Sequence, residues 1–361
     1  MGLFSRLKRR SSGPFASRVP KLRWFGPLAT LIALICGLYM VVTGRIDFSV
    51  FDQRAGAIAQ QPTGPPVTLT TRPTTNGNKI RVATFNIQTF GNKKSSTREL
   101  EGVDVMGTIA RIVSSFDLVA IQEVRSQDGT PIQRLVDLLN ANGGTYTSIV
   151  SEPIGGKRYT ESYAFVWDSS RISLVQNSDY VVQDNLDRMS REPMVASFQT
   201  RVPPSEGQRP FRFTLINAHT DPDEVSARDI ANEINVLDDV YMRVKQWESN
   251  VSGEDDYILL GDLNVDINNL QELAMIPNLH SVAGNAPTNT RKSATYDHIL
   301  LDRIASAEFT GVQGVIDWEK DLGLTQRQAL LISDHMPVWA EFSIYESSRV
   351  GPVASRPTIF R

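Results

Sequence analysis

The sequence predicts an α+β fold in which two packed β-sheets lie between outer layers of helices, behind a single membrane-crossing helix. Three features of the 361 residues point there. Short apolar runs outnumber amphipathic stretches, their spacing does not follow a regular alternation of strand and crossover helix, and one 21-residue stretch near the N-terminus carries no charge. Composition sets the bounds: 41% hydrophobic and 21% charged residues are ordinary for a globular chain, which excludes wholesale disorder and a collagen repeat. Cys36 is the one cysteine, so no intramolecular disulfide can form and a cysteine-built zinc or iron–sulfur site is excluded.

Residues 1–23 hold seven Lys or Arg and no acid, leaving 30 basic against 40 acidic residues in the rest of the chain. That balance argues against loose binding to nucleic acid through a generally basic surface, so a phosphate site has to be locally built. The uncharged run WFGPLATLIALICGLYMVVTG, residues 24–44, is about the length a helix needs to cross a hydrocarbon core of roughly 30 Å. With the basic residues ahead of it, the N-terminus is expected in the cytoplasm and the rest of the chain outside the plasma membrane, or in the periplasm of a double-membraned cell. A signal peptide cut near Ala55-Gly56-Ala57 is the competing reading. The apolar run is long for a signal h-region, and that cut lies well beyond its end. Residues 45–78, containing QQPTGPPVTLTTRPTTNGN, read as a Pro/Thr-rich linker, and residues 346–361 as a disordered tail.

Residues 79–345 make one domain of a size that suits two sheets. Runs at 80–86, 118–122, 162–167, 211–218, 257–261, 296–301 and 338–343 read as strands. Met106, Ile109, Ala110 and Val113 recur at helical spacing, as do Ile230, Ile234, Leu237, Tyr241 and Val244.

Chemistry concentrates where the apolar runs stop. Asn86 closes VATFN, Glu123 closes LVAIQE, His219 follows FTLINA, Asp262 and Asn264 follow YILLG, Asp297 opens DHILL, and Asp334-His335 precede MPVWAEF. Singly, each Asp or Asn is a turn residue; turn chemistry does not favour Glu and His, and the whole set at strand ends points to convergence on one sheet rim. Carboxylates and amide oxygens suit a hard divalent ion, magnesium or manganese, held by Glu123, Asp262 and the Asn86 amide. Hydrolysing a phosphodiester also needs a base for the attacking water and an acid for the leaving oxygen, and His219 and His335 can serve either role near neutral pH. Glu161 and Asp297 are expected as their carboxylate partners.

With these residues in view, the sequence resembles the endonuclease/exonuclease/phosphatase superfamily and is most similar to its deoxyribonuclease I branch. FNIQTFG, LVAIQEVR, IVSEPIGGKRYTESYAF, SREPMVASF, NAHTDPDEVSARDIANEINVLDDVYMRV, LLGDLNVD, TYDHILLD and ISDHMPV carry the resemblance across nearly the whole body. It implies a four-layer sandwich with the site at the sheet rim and metal-dependent phosphodiester cleavage. By resemblance, Glu123, Asp262 and Asn86 match metal and phosphate ligands, His219 and His335 the two catalytic histidines, and Glu161 and Asp297 their partners. Asn264 matches an amide that positions phosphate, and Asp334 a second acid of the metal and water network. Arg125 is similar to an arginine that enters the DNA minor groove, Tyr159 to a tyrosine that packs on a sugar there, and Arg191 to a phosphate-contacting arginine. Asp184, Asp187 and Glu192 match one structural calcium site of the branch; the segment GNAPTNTRKSAT offers no aspartate for the other. The body also lacks the cysteines of the secreted animal type, leaving the loop at residues 182–190 unstapled.

The implied protein is a monomeric, membrane-tethered endonuclease acting on double-stranded DNA. A lipid or small-molecule phosphodiesterase of the same superfamily, sphingomyelinase-like, is the alternative that the membrane span favours and the matches at Arg125 and Tyr159 oppose. A binding module that has lost catalysis is disfavoured, because both histidine positions are filled.

Overall fold

The computed structural model describes residues 77–156, 160–202, 208–252 and 254–347. The expected basic segment and membrane span, nearly all of the linker and of the tail, and Tyr159 lie outside the described residues; Glu346 and Ser347, expected in the disordered tail, are instead tied to the fold by hydrogen bonds to Arg209, Arg212 and Glu308. Among the described residues, no helix is long and apolar enough to cross a membrane.

In chain order, β1 (Lys79–Gly91) leads into the short helix α1 (Asn92–Ser96), the two-residue strands β2 (Glu99–Leu100) and β3 (Val103–Asp104), and α2 (Val105–Val113). Then come β4 (Leu118–Arg125), α3 (Thr130–Ala141), β5 (Tyr146–Val150), β6 (Ser162–Asp168), β7 (Ile172–Leu174), β8 (Tyr180–Val181) and β9 (Met194–Thr200). The second half holds β10 (Arg212–His219), α4 (Glu233–Ser252), β11 (Tyr257–Asp262), β12 (Leu279–Ser281), β13 (Asp297–Asp302) and β14 (Phe309–Val315). Helices α5 (Trp318–Leu322) and α6 (Gln326–Ile332) precede the last strand, β15 (Val338–Ser343).

One sheet has the order β14-β15-β1-β4-β6-β5, and the other β12-β13-β11-β10-β9-β7 with β8 beside β9. Each contains one parallel pair, β1 with β4 and β10 with β11; every other pairing is antiparallel. The C-terminal halves of the four parallel strands carry Asn86, Glu123, His219 and Asp262, so the topology gathers these polar groups on one side of the sandwich.

Why the strands read as continuous apolar runs is clear from the layers. Along β1, Ile80 and Val82 face the other sheet, whereas Ala83, Phe85 and Ile87 pack in a second cluster with α2, α3 and α6. On the other sheet, Ile258 and Leu260 of β11 point inward while Tyr257 and Leu259 meet Ile234, Leu237 and Tyr241 of α4. Both faces of each central strand are buried, so polar residues are displaced to strand ends. The two sheets flanked by helices agree with the expected architecture. All seven expected strands are present, most extended by a residue or more, and both expected helices form; Ile230 precedes α4 and is 83% exposed.

One polar bridge crosses between the sheets beneath the rim. Gln122 Nε2 donates to Asn217 Oδ1 at 2.6 Å and to Thr84 Oγ1 at 3.0 Å, joining β1 and β4 to β10. All three residues are fully buried. This buried amide contact fixes the relative position of two layers, since sliding either one would leave the Gln122 Nε2 donor without its acceptors.

Candidate active site

Three neighbouring strands bring the acidic and imidazole groups together. His219 lies opposite Asp262 in the β10–β11 register, and Asp262 opposite Asp297 in the β11–β13 register. Gly261 makes this approach possible: at φ 142°, a Cβ there would lie 1.8 Å from the Ala218 carbonyl oxygen. Only glycine fits before Asp262.

The two histidines are held alike. His219 Nδ1 is 2.6 Å from Glu161 Oε1, and His335 Nδ1 is 2.9 Å from Asp297 Oδ2. Their other ring nitrogens converge: Nε2 of His219 and Nε2 of His335 lie 3.6 and 3.4 Å from the same oxygen, Asp262 Oδ2. Burial works against charge on His219, but the hydrogen bond and charge of Glu161, with Asp262, outweigh it and raise its pKa above the ordinary histidine value. His335 is buried too, yet Asp297 and Asp262 hold its pKa well above that value.

Asn86 joins the second cluster to this one. Its Nδ2 donates to Asp262 Oδ2 at 2.9 Å and to Glu123 Oε1 at 3.2 Å, so the two carboxylates meet at one amide. Glu123 sits at a bulge in β4 with a left-handed φ of 61°, a conformation that costs a non-glycine residue about 1–3 kcal/mol. The turn delivers its other oxygen to the Thr89 N–H at 2.8 Å. Burial would raise the Glu123 pKa; that N–H, the charges of His219 and Arg125, and the Asn86 amide lower it instead. The Asn86 Oδ1 atom is buried and receives no hydrogen bond. Two carboxylates beside an unsatisfied amide oxygen are hard oxygen donors, a set that fits a divalent cation such as magnesium or manganese.

The remaining expected residues divide. Asn264, at φ 52°, donates its backbone N–H to Asp262 Oδ1 at 3.0 Å and its Nδ2 to Thr220 O at 2.9 Å. Asp334 stands on the His335 side, accepting from Gln88 Nε2 at 2.9 Å and lying 4.0 Å from His335 Nε2. Arg125 reaches Glu161 at 3.4 Å and Glu123 at 3.7 Å, and lines a cleft of ≈ 550 Å³ with Asn92, Asp128 and Thr160. Arg191 turns inward: buried, it donates to the carbonyls of His219 at 3.0 Å and Thr220 at 2.7 Å, and its Nε lies 3.5 Å from Glu161. That use locks the end of β10 and does not present the guanidinium to a surface phosphate. Asp184 caps its own loop, accepting from the N–H groups of Leu186, Arg188 and Met189. Among the described residues, Asp184, Asp187 and Glu192 do not form a close ligand group.

Several supporting residues escape sequence reasoning. Ser333 Oγ donates to Asn86 O at 2.7 Å and accepts from the N–H groups of Gln88 and His335, both at 3.1 Å, tying two loops to the rim. Lys94 donates to Gln88 O and to Ile332 O; burial lowers its pKa to about 8, against the opposing charges of Glu123 and Asp334. Tyr163, fully buried, accepts from the His219 N–H at 3.0 Å. A polar side chain inside an apolar run, as in SYAF, was the available signal.

Comparison with known proteins finds deoxyribonucleases among the relatives of this chain. Bovine deoxyribonuclease-1 is 32% identical over 278 residues, covering 73% of this chain and 92% of that protein. The chain belongs to the deoxyribonuclease I family. Human deoxyribonuclease-1-like 1 is 30% identical over 285 residues, covering 75% of this chain and 88% of the relative. No family model matches the chain. Among solved structures, an endonuclease/exonuclease/phosphatase family protein from Bacteroides thetaiotaomicron aligns with a TM-score of 0.47 at 17% identity, covering 73% of this chain and 94% of that one. As a member of the deoxyribonuclease I family, the protein is an enzyme of the nuclease hydrolase class.

Proposed function

We propose that the protein is a divalent-metal-dependent endonuclease that hydrolyses double-stranded DNA with little sequence preference, working as a monomer tethered to the plasma membrane. The observation that carries the reading is the pair of imidazoles whose Nε2 atoms approach one Asp262 oxygen, each backed by a carboxylate at Nδ1. A phosphodiester seated over Asp262 would have one imidazole on the side of the attacking water and the other beside the leaving oxygen. The first takes the water proton on Nε2, and the second gives its Nε2 proton to the departing alkoxide. Glu161 and Asp297 hold the Nδ1 protons, fixing the tautomer and supporting the charged form. Asn86, Glu123 and Asp262 would hold magnesium or manganese, which supplies Lewis-acid neutralisation of the phosphate charge. Asn264 would steady a phosphate oxygen with its second amide hydrogen, and Asp334, through Gln88, would order water beside His335.

Arg125 supports the choice of duplex DNA: it is a partly exposed guanidinium beside a cleft next to the hydrolytic groups, suited to a narrow negative groove read by shape. Tyr159 is proposed to pack on a sugar there. Residues 24–44 would cross the bilayer with residues 1–23 in the cytoplasm, and residues 45–78 would carry the catalytic domain, residues 79–345, on the outer or periplasmic side. The described chain enters the fold at Lys79, at the opposite end of β1 from the site, which is compatible with a rim left open to a large substrate.

The test is nicking of supercoiled plasmid by the full chain with magnesium or manganese, then with chelator, beside a sphingomyelin hydrolysis assay. Chelator-sensitive nicking is the expected result. Lipid hydrolysis without nicking would move the protein to the lipid branch of the superfamily.

A further inference from the structure

The far rim, where β10, β11 and β14 begin and β15 ends, carries a second set of carboxylates that the hydrolytic reading does not use. Asp256 directly precedes β11, Glu308 directly precedes β14, and Glu346 follows β15. One oxygen from each of these three residues lies within 4.8 Å of the others. We propose that Asp256, Glu308 and Glu346 form a calcium-binding site that clamps the C-terminal end of the fold to the starts of β11 and β14.

The first argument is the unsatisfied chemistry. Asp256 and Glu308 are 1% and 3% exposed; the Ser306 hydroxyl is set against Asp256 and the Ser347 N–H donates to Glu308 Oε1, while Oε2 of Glu308 is buried without any hydrogen-bond donor. A carboxylate oxygen taken out of water and left unpaired is costly, and a native fold retains one where something else completes it. The local cations do not complete these two. Arg212 directs Nε toward Glu254, at 3.6 Å, and gives its backbone N–H to Glu346 at 2.9 Å. Arg209 acts on Glu346 from the neighbouring turn. Glu254 and Asp255 add further negative charge, and Glu254 accepts the N–H groups of Asp255 and Asp256.

The second argument is the size and donor type of the cluster. All three ligands are carboxylates on separate chain segments, with no imidazole or thiolate, which selects a hard cation. Calcium accepts six to eight oxygens at about 2.3–2.6 Å in irregular arrangements, whereas magnesium, at about 2.0–2.1 Å in a strict octahedron, keeps several waters and is seldom held by an all-protein set of three carboxylates. Glu346 is half-buried and leaves a way in from solvent. In agreement with a site lacking its counter-charge, burial and the charge of Glu308 push Asp256 up to about 9, and burial with Glu308 and Glu254 pushes Glu346 up to about 7.

The experiment uses the full chain, stripped with chelator, in a Glu123→Gln background that weakens cation binding at the catalytic rim. Thermal unfolding is followed with and without saturating calcium, with calorimetric titration for stoichiometry. Calcium is expected to raise the midpoint by about 5 °C, and adding Glu308→Gln is expected to abolish that rise. Glu308→Gln alone is expected to keep metal-supported nicking within about twofold of the unmodified chain. An equal rise with and without Glu308→Gln would overturn the site, as would no rise in the Glu123→Gln protein. Should Glu308→Gln fold poorly, Glu346→Gln reads the same loss at a half-exposed position. A magnesium rise equal to that with calcium would overturn the choice of ion.

Discussion

At one rim of the sandwich the buried acids hold imidazoles, and at the other they hold none. Glu161 and Asp297 each hold an imidazole, and Glu123 takes a backbone N–H and an amide. Across the fold, just before β11 and β14, Asp256 and Glu308 have no imidazole beside them among the described residues; each rim keeps buried carboxylate oxygens without a hydrogen-bond donor, Glu161 Oε2 and Asp297 Oδ1 at the first and Glu308 Oε2 at the second. Both rims are acidic and both are built from strand ends. What separates them is the imidazoles: a buried carboxylate becomes part of proton-transfer machinery where it orients a group that can carry the proton, and without such a group it is a site for a cation or a proton. Burial and charge alone do not distinguish catalysis from structure.

That contrast can be broken first at its largest expected effect. Asp262→Asn removes the charge on which His219, His335 and Asn86 converge, and nicking is expected to fall about 10⁴-fold while the calcium-induced rise in thermal midpoint persists. Loss of both together would mean that the rims are not independent.

Next come the imidazole partners. Glu161→Gln and Asp297→Asn are each expected to slow nicking about 10²-fold or more. The sign of the pH effect follows from the shifts: Glu161 and Asp297 raise the histidine pKa values, so removing either carboxylate lets its histidine lose the proton at lower pH. The alkaline limb of the kcat/KM profile reports the imidazole that must stay protonated, so it should move toward neutral pH in one of the two variants, which identifies the acid. An unmoved limb in both would count against the acid–base assignment.

A smaller effect is expected at the edge of the catalytic rim. Arg125→Ala should lower duplex cleavage about tenfold and leave hydrolysis of a small nitrophenyl phosphodiester nearly unchanged. Equal losses on both substrates would reassign Arg125 to the support of Glu161 and Glu123.

The smallest effect belongs to the far rim and is one of stability. Asp256 is raised in the folded chain to about 9 from an unfolded value near 4, so the folded state holds the extra proton between these values. Its contribution is therefore complete below about pH 4 and lost as the pH rises toward about 9. In chelator, the thermal midpoint should fall across that range, and Asp256→Asn should flatten part of the fall by a few degrees. An unchanged slope would remove Asp256 from the cluster.

The candidate catalytic rim was legible in the sequence because most of its groups stand where an apolar run stops. Glu123 after LVAIQ and His219 after LINA are residues that turns do not favour, and the structure brings both to Asp262. Arg191 was harder, since a sequence gives the residue type and not the direction of a guanidinium; here it points at backbone carbonyls under His219. Gln122 and Asn217 were hidden for the opposite reason. An amide inside a strand looks like a tolerated exception until its partner in the other sheet is known. The far rim could not be read at all: Asp256, Glu308 and Glu346 lie far apart in the chain, in GEDD, SAEF and YESS, where an acid has the ordinary explanation of a solvated turn. Only the topology, which starts β11 and β14 where β15 ends, puts them together.

The central claim is that two carboxylate-backed imidazoles transfer the protons of phosphodiester hydrolysis. It is tested most directly by single-turnover plasmid nicking with His219→Ala and His335→Ala, each checked for an unfolding midpoint close to that of the unmodified chain. Each variant is expected to lose about 10²- to 10⁴-fold in rate while remaining folded, because each removes a proton carrier and not a core side chain. A folded variant of either kind that nicks at a near-normal rate would contradict the claim.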